Sequence, residues 1–128
     1  MKLIDTVAII GFLNTKDRLH ARSVEHLESV SSEDDVVVPD SALIETDLLL
    51  KISGYDDSER EISWNAIESK IPSNKIVPNS TSSIHHAIDL QKQGLDYFDS
   101  LIASLAKTMD STVITTDRKI GNVVLIDW

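Results

Sequence analysis

The chain has 128 residues, a formal net charge of −9 and no cysteine. This length suits a single domain over residues 1–128 with one substantial core, and the acidic balance excludes nucleic-acid binding through a basic surface field alone. The lack of cysteine excludes disulfides and thiolate chemistry, and the longest apolar run, Val7–Leu13, is far shorter than a membrane span. We therefore expect a cytoplasmic protein without a membrane segment, in which any contact with a polyanion depends on cations.

The first half of the chain alternates between strand and helix patterns. Apolar and β-branched runs predict strands, and apolar residues at three- and four-residue spacing predict helices. The predicted elements are a strand at Lys2–Ile4 that ends at Asp5, a helix capped by Thr6 that runs to Leu13, a helix from Lys16 to about Val30, a strand at Val36–Val38 stopped by Pro39, and a helix capped by Asp40 or Ser41 and closed by Gly54.

The second half continues this alternation. Its predicted elements are a helix opened by Ser58 with Glu61 that ends before Pro72, a strand at Lys75–Val77, a helix from the Ser80–Ser83 cluster toward Gly94, a helix from Asp96 through Met109, a strand at Thr112–Thr116, a turn through Gly121 and a strand at Val123–Ile126. Strands that alternate with helices across short turns predict a three-layer α/β/α sandwich around a mainly parallel sheet.

The segment Gly94–Asp117 carries the clearest candidate residues. Asp96 is expected to be the N-cap of its helix, with Asp99 three residues on in a short variant of the capping box. The β-branched run Thr112–Thr116 suits a buried parallel strand, and Asp117 follows at its carboxyl end. Because ligands of open α/β sheets bind outside the carboxyl ends of the strands, Asp117 is a candidate functional residue.

Four acids are expected to meet at one edge of the sheet. Asp5 and Asp117 follow strands, while Glu45 and Asp99 lie near the starts of helices. Right-handed crossovers can bring such positions to the same edge. Four carboxylates there would repel one another unless a cation neutralised them, and oxygen ligands without sulfur or histidine favour Mg²⁺ or Mn²⁺. Such ions activate water or clamp the oxygens of a phosphodiester.

Four segments in a fixed order carry a family resemblance. They are Leu3-Ile4-Asp5-Thr6, Ala42-Leu43-Ile44-Glu45, Tyr97-Phe98-Asp99-Ser100-Leu101-Ile102-Ala103 and Ile114-Thr115-Thr116-Asp117-Arg118. Together they resemble a PIN domain, the family of the toxin ribonucleases of VapBC toxin–antitoxin modules. The resemblance covers nearly the whole chain and implies metal-dependent endonucleolytic cleavage of RNA, with 5′-phosphate and 3′-hydroxyl products. It also implies a homodimer and a small antitoxin whose segment reaches the acidic site.

The resemblance assigns roles to five residues. Asp5, Glu45 and Asp99 match the metal-binding acids of the family, Asp117 matches its fourth and more variable acid, and Thr115 matches a hydroxyl that helps to position metal or water. Between Asp96 and Asp99 the spacing alone leaves the ligand open, because Asp96 is the better cap and Asp99 the better ligand by motif.

Each acid also has a purely structural interpretation. Asp5 and Asp117 are also typical turn residues, and Glu45 also suits a helix start through the macrodipole, a contribution of about 0.3–1 kcal/mol. Two other functions stay open: a PIN-type metal- or partner-binding module with little nuclease activity, and a phosphoacceptor receiver domain. A receiver needs adjacent acids after its first strand and a lysine where this chain has Asp117, so it ranks last.

Other polar and aromatic residues are expected outside the acidic site. The histidines His20, His26, His85 and His86 are expected at surface or half-buried helix positions away from the strand ends. Trp64 and Trp128 are expected in the core or in a dimer contact. The candidate phosphate contacts are Lys16, Arg18, Arg118 and Lys119.

Overall fold

The computed structural model describes residues 1–128 and contains one five-stranded sheet and seven α-helices. The strands are β1 (Lys2–Ile4), β2 (Val36–Pro39), β3 (Ile76–Val77), β4 (Thr112–Ile114) and β5 (Ile126–Asp127). The helices are α1 (Thr6–Leu13), α2 (His20–Ser32), α3 (Asp40–Ile52), α4 (Asp57–Glu68), α5 (Thr81–Lys92), α6 (Tyr97–Met109) and α7 (Arg118–Gly121). None of the helices has the length and apolar character that crossing a membrane requires.

The sheet is parallel throughout, with the strand order β3-β2-β1-β4-β5. Strand β1 is central, so its carboxyl end lies between those of β2 and β4. This arrangement confirms the predicted α/β fold with a parallel sheet.

Side-chain alternation along the strands divides the core between the two faces of the sheet. Ile4 packs on one face with residues of α1, α2 and α4, whereas its neighbour Leu3 packs on the other face with residues of α6 and α7. Helix α5 packs on α6 through Leu90 and Ala103. Helices therefore cover both faces, which confirms the three-layer sandwich.

The caps of two helices differ from the sequence prediction. Asp5, rather than Thr6, is the N-cap of α1, because its carboxylate accepts a hydrogen bond from the backbone N–H of Thr6. Neither Asp40 nor Ser41 caps α3, which begins after Pro39 without a side-chain cap. The Asp40 carboxylate instead accepts hydrogen bonds from the backbone and side chain of Asn79.

The starts of α2 and α4 also differ from the sequence prediction. Helix α2 begins at His20 rather than Lys16, since the side chains of Asn14 and Asp17 accept backbone hydrogen bonds that hold the preceding segment in turns. The capping box of α4 is Asp56 with Glu59 instead of Ser58 with Glu61. The sequence contains this spacing twice, and the earlier pair forms the cap.

The carboxyl-terminal segment shows three further differences. Strand β4 ends at Ile114 rather than Thr116, and a short helix replaces the predicted turn through Gly121. The last strand is Ile126–Asp127 rather than Val123–Ile126. The chain stays in helical turns through Val124, whose N–H donates to the carbonyl of Ile120.

Candidate metal centre

Asp5 lies at the carboxyl end of the central strand, where two groups hold its carboxylate. Its Oδ1 accepts from the backbone N–H of Thr6 at 2.8 Å, and its Oδ2 accepts from the hydroxyl of Thr115 at 2.7 Å. The side chain is buried. Burial raises the pKa of Asp5, and the hydrogen bonds from Thr115 and Thr6 oppose this rise because they stabilise the ionised form.

Glu45 approaches Asp5 from helix α3. Its Oε1 accepts a hydrogen bond from the hydroxyl of Thr6, and the residue is half-buried. Burial raises the pKa of Glu45, with smaller contributions from the charges of Asp5, Asp96 and Asp117, while the bond from Thr6 lowers it. The carboxylate therefore lies within the field of other acids.

Helix α6 brings two more acids to the same place. Asp96 is the N-cap, as predicted, and its Oδ1 accepts from the backbone N–H of Asp99 at 2.9 Å. The predicted capping-box variant does not form, because the Asp99 carboxylate accepts no hydrogen bond from the backbone N–H of Asp96. Asp99 is buried, and its pKa is raised to about 8, first by burial and then by the negative charges of Asp96, Asp117 and Asp5. Burial and the neighbouring carboxylates thus favour the protonated form of Asp99.

Thr115 joins the ends of β1 and β4. Its buried hydroxyl donates to Asp5 and accepts from the backbone N–H of Asp117 at 3.0 Å. Asp117 is half-buried and caps α7, with its Oδ1 accepting from the N–H of Lys119 at 2.8 Å. Asp117 thus has a capping role at the edge of the acidic site.

One open cavity of about 500 Å³ collects these side chains. It is lined by Asp5, Thr6, Val7, Ile10, Glu45, Leu49, Asp96, Asp99, Thr116 and Asp117. The structure therefore brings together all four acids expected at the sheet edge and adds Asp96, which the sequence placed only as a cap or a competing ligand. Thr115 is not among the lining residues and lies behind Asp5.

Sequence reasoning missed the contribution of Thr6. The sequence pattern indicates only a helix cap there, but the hydroxyl of Thr6 contacts Glu45 and its backbone N–H contacts Asp5. The available signal was its position: a hydroxyl residue directly after a strand-end acid lies at the same sheet edge as that acid.

The chemistry of the cavity suits a hard divalent cation. Five carboxylates line it, and no lysine, arginine, histidine or sulfur ligand does. Uncompensated negative charge contributes to the raised pKa values of Asp5, Glu45 and Asp99, and a cation would relieve it. The carboxylates are not drawn together into a formed site, however, since no group of three acidic or histidine side chains is arranged to hold an ion.

The histidines lie outside this cavity. His26 is buried rather than at the surface or half-buried, because its ring packs against Trp128 with a centroid distance of 4.7 Å. Trp64 and Trp128 both pack against the core, which is one of the two roles that the sequence predicted for them.

Of the predicted phosphate contacts, only two lie beside the acids. Arg118 and Lys119 follow Asp117 directly, are exposed and form no ion pair. Lys16 and Arg18 follow the carboxyl end of α1, whereas Asp5 caps its amino end. The eight residues of α1 separate these ends, a distance of about 12 Å at the usual helical rise.

Comparison with known proteins gives one family and several similar structures. The family model that matches is described as the PIN domain, and it covers residues 2–124. VapBC2 from Rickettsia felis, bound to a DNA fragment from its promoter, has a TM-score of 0.71 and 16% identity, covering 99% of this chain and 98% of that chain. FitAcB from Neisseria gonorrhoeae has a TM-score of 0.72 and 20% identity, covering 98% of this chain and 96% of that chain.

A third similar structure is VapC20 from Mycobacterium tuberculosis, described as a toxin that cleaves the sarcin–ricin loop. Its TM-score is 0.71 at 12% identity, covering 95% of this chain and 94% of that chain. At such identities the likeness shows the fold. Comparison with curated protein sequences gives no significant match.

Proposed function

Because this chain belongs to the PIN domain family, we propose that it is a divalent-metal-dependent endoribonuclease that hydrolyses RNA phosphodiester bonds at the acidic cavity. The observation that carries this proposal is the convergence of Asp5, Glu45, Asp99 and Asp117, from four separate places in the chain, on one cavity at the carboxyl ends of the strands. These four acids are the proposed ligands of Mg²⁺ or Mn²⁺.

The residues of the cavity prepare the cation site in different ways. When bound, the ion would supply Lewis-acid chemistry, activating water and stabilising the departing oxygen. Thr115 and the backbone of Thr6 keep the Asp5 carboxylate in place. Asp99 would lose its proton as the cation binds, because metal ligands must be deprotonated. Binding would also draw the carboxylates closer together.

RNA would reach the acids beside α7. The cavity itself repels phosphate, since acids but no basic residues line it. Arg118 and Lys119 are the free cations next to Asp117. We therefore assign them as phosphate contacts that hold the RNA backbone at the mouth of the cavity.

The proposed biological role is that of the toxin in a VapBC-type pair, inhibited by a small antitoxin. The surface formed by α3, α4 and the segment between them suits such a partner, because it exposes the apolar side chains Ile44, Leu48, Leu49, Ile52, Tyr55 and Ile62. Leu49 also lines the acidic cavity, so this apolar surface is continuous with the site. An antitoxin segment with apolar side chains on this surface could extend a basic side chain toward the carboxylates.

Two further parts of the proposal follow from the family resemblance. We propose that the chain forms a homodimer, which light scattering on the purified protein would detect. We also propose a cytoplasmic location, where RNA substrates are available.

The test is cleavage of a panel of structured RNAs by the purified protein with Mg²⁺, Mn²⁺ or EDTA. Asp99→Asn should abolish cleavage, while the matched variant Asp34→Asn should cleave normally, because Asp34 is exposed on the loop before β2. Circular dichroism should show that both variants fold. Failure of the wild-type protein to cut any RNA with either metal would contradict the proposal and favour a PIN-type binding module.

A further inference from the structure

Thr6 contacts carboxylates that two different elements contribute to the cavity. Its backbone N–H donates to Asp5 at the end of β1, and its hydroxyl donates to Glu45 of α3. The residue is buried and is the first residue of α1, so its own backbone is fixed by the helix. A rigid donor thus links two of the proposed metal ligands.

The hydroxyl of Thr6 is the only protein group that holds the Glu45 side chain. No other donor bonds to that carboxylate, and no lysine or arginine forms an ion pair with it. A free glutamate side chain populates many rotamers, and fixing it costs entropy at the moment a ligand binds. The hydrogen bond from Thr6 restricts the Glu45 side chain before a cation binds, which reduces this entropy cost.

A second acceptor near the Thr6 hydroxyl does not compete strongly. The carbonyl of Ala42 lies 3.5 Å from the hydroxyl, at the limit of a hydrogen bond. That carbonyl also accepts from the hydroxyl of Thr46 at 2.7 Å. The proton of Thr6 is therefore directed to Glu45.

We propose that Thr6 is a positioning residue whose hydroxyl holds Glu45 beside Asp5, so that both carboxylates present oxygen atoms to the same cation. The inference rests on the proposed function, since it assigns Thr6 a role in cation binding at that site. Thr6 contacts neither the RNA nor the reacting atoms in this role, and it acts through the ligands.

The experiment is calorimetric titration of Mn²⁺ into the wild-type protein and three variants. Thr6→Val keeps the side-chain shape but removes the hydroxyl, and it should weaken Mn²⁺ binding by about 10-fold or more, as loss of a group that orients a metal ligand usually does. Thr6→Ser keeps the hydroxyl and should retain wild-type affinity. Thr46→Val is the matched control, because it also removes a buried threonine hydroxyl bonded to Ala42 but leaves Glu45 untouched.

A parallel assay of RNA cleavage separates positioning from general damage. For Thr6→Val the Mn²⁺ concentration at half-maximal rate should rise by the same factor as the dissociation constant, and saturating Mn²⁺ should restore most of the rate. Should Thr6→Val fail to fold by circular dichroism, Thr6→Ala takes its place in both measurements with the same expectation.

The outcomes distinguish this inference from the proposed function. Wild-type affinity in Thr6→Val, or equally weak binding in Thr6→Ser and Thr6→Val, would overturn the role of Thr6 while metal-dependent cleavage by the wild type still stood. A wild-type protein that binds no Mn²⁺ and cuts no RNA would overturn both. Weak binding by Thr46→Val would also overturn the role of Thr6, because the effect would then come from removing any hydroxyl near Ala42.

Discussion

Thr115 and Asp5, which are 110 residues apart in the chain, are joined by a 2.7 Å hydrogen bond at the carboxyl ends of two neighbouring strands. The bond lowers the pKa of Asp5 against the effect of burial. The same hydroxyl also accepts from the N–H of Asp117. One buried threonine thus supports the positions of two acids that line the cavity.

The first prediction is that Thr115→Val lowers kcat/KM for RNA cleavage by about 10- to 100-fold, the usual effect of losing a group that orients a metal ligand. Without the hydroxyl the pKa of Asp5 rises further, so the carboxylate needed for the cation is less available. Thr112→Val is the control, because Thr112 begins β4, the strand that Thr115 directly follows, and its hydroxyl makes no hydrogen bond in the structure. Equal kcat/KM values for the two variants would contradict this role.

The second prediction concerns pH and the stability of the metal-free protein. Asp99 has a pKa of about 8 when folded against an ordinary value of 3.8. Between these values the folded state binds a proton that the unfolded state releases, so the free energy of unfolding falls as pH rises. The favourable contribution is complete below the ordinary pKa and is lost as pH rises through the folded pKa.

Thermal unfolding in EDTA should therefore occur at progressively lower temperature from about pH 5 to pH 8. Asp99→Asn removes the titrating group and should flatten this dependence, with a higher melting temperature than the wild type at pH 8. Asp34→Asn serves as the control and should keep the wild-type slope, since Asp34 is exposed and makes no hydrogen bond or ion pair through its side chain. If the melting temperatures of the wild type and Asp99→Asn change with pH in parallel, the pKa of Asp99 is not raised in the folded protein.

Much of the fold could be predicted because the local pattern and the packing agree. The runs around Ile4, Val37 and Val113 are apolar on both faces, and both faces are covered by helices. The shortest elements could not be predicted locally. The register of β5 depends on backbone bonds from Val113 to Leu125 and from Thr115 to Asp127, which are pairings between distant segments.

The convergence of the acids was predictable from the strand ends at Asp5 and Asp117 and the helix start at Asp99, but their supporting contacts were not. Glu45 lies in the second turn of α3 rather than at its start. The sequence explained Asp96 fully as a helix cap. In the structure Asp96 caps α6 and also lines the cavity. The contact from Thr6 to Glu45 depends on how α3 crosses α1. No spacing within the sequence encodes that crossing.

The third prediction tests the packing of α1 against α2. A Cβ atom at Gly11 would lie 2.2 Å from the hydroxyl oxygen of Ser23 and 3.1 Å from its Cβ. Gly11→Ala should therefore lower the free energy of unfolding by about 1–3 kcal/mol, the usual cost of overpacking. Urea denaturation measures this change.

A double variant isolates the cause. The Ser23 hydroxyl is buried without a hydrogen-bond partner, so Ser23→Ala alone should be close to neutral or stabilising. Combined with Gly11→Ala, it should recover part of the stability, because it removes the atom at 2.2 Å. Strictly additive effects of the two substitutions would show that contact with the Ser23 hydroxyl is not the cause of the lost stability.

The fourth prediction concerns RNA binding beside α7. Replacing both Arg118 and Lys119 by alanine should raise KM for RNA with little change in kcat, because these side chains contact phosphate rather than the reacting atoms. The plot of log affinity against log salt concentration should become shallower by about 0.7 for each phosphate of a single strand that the variant no longer neutralises. The control replaces Lys16 and Arg18, which removes the same charge at the far end of α1. If both double variants raise KM equally, net charge rather than position governs RNA binding, and the assignment of Arg118 and Lys119 is wrong.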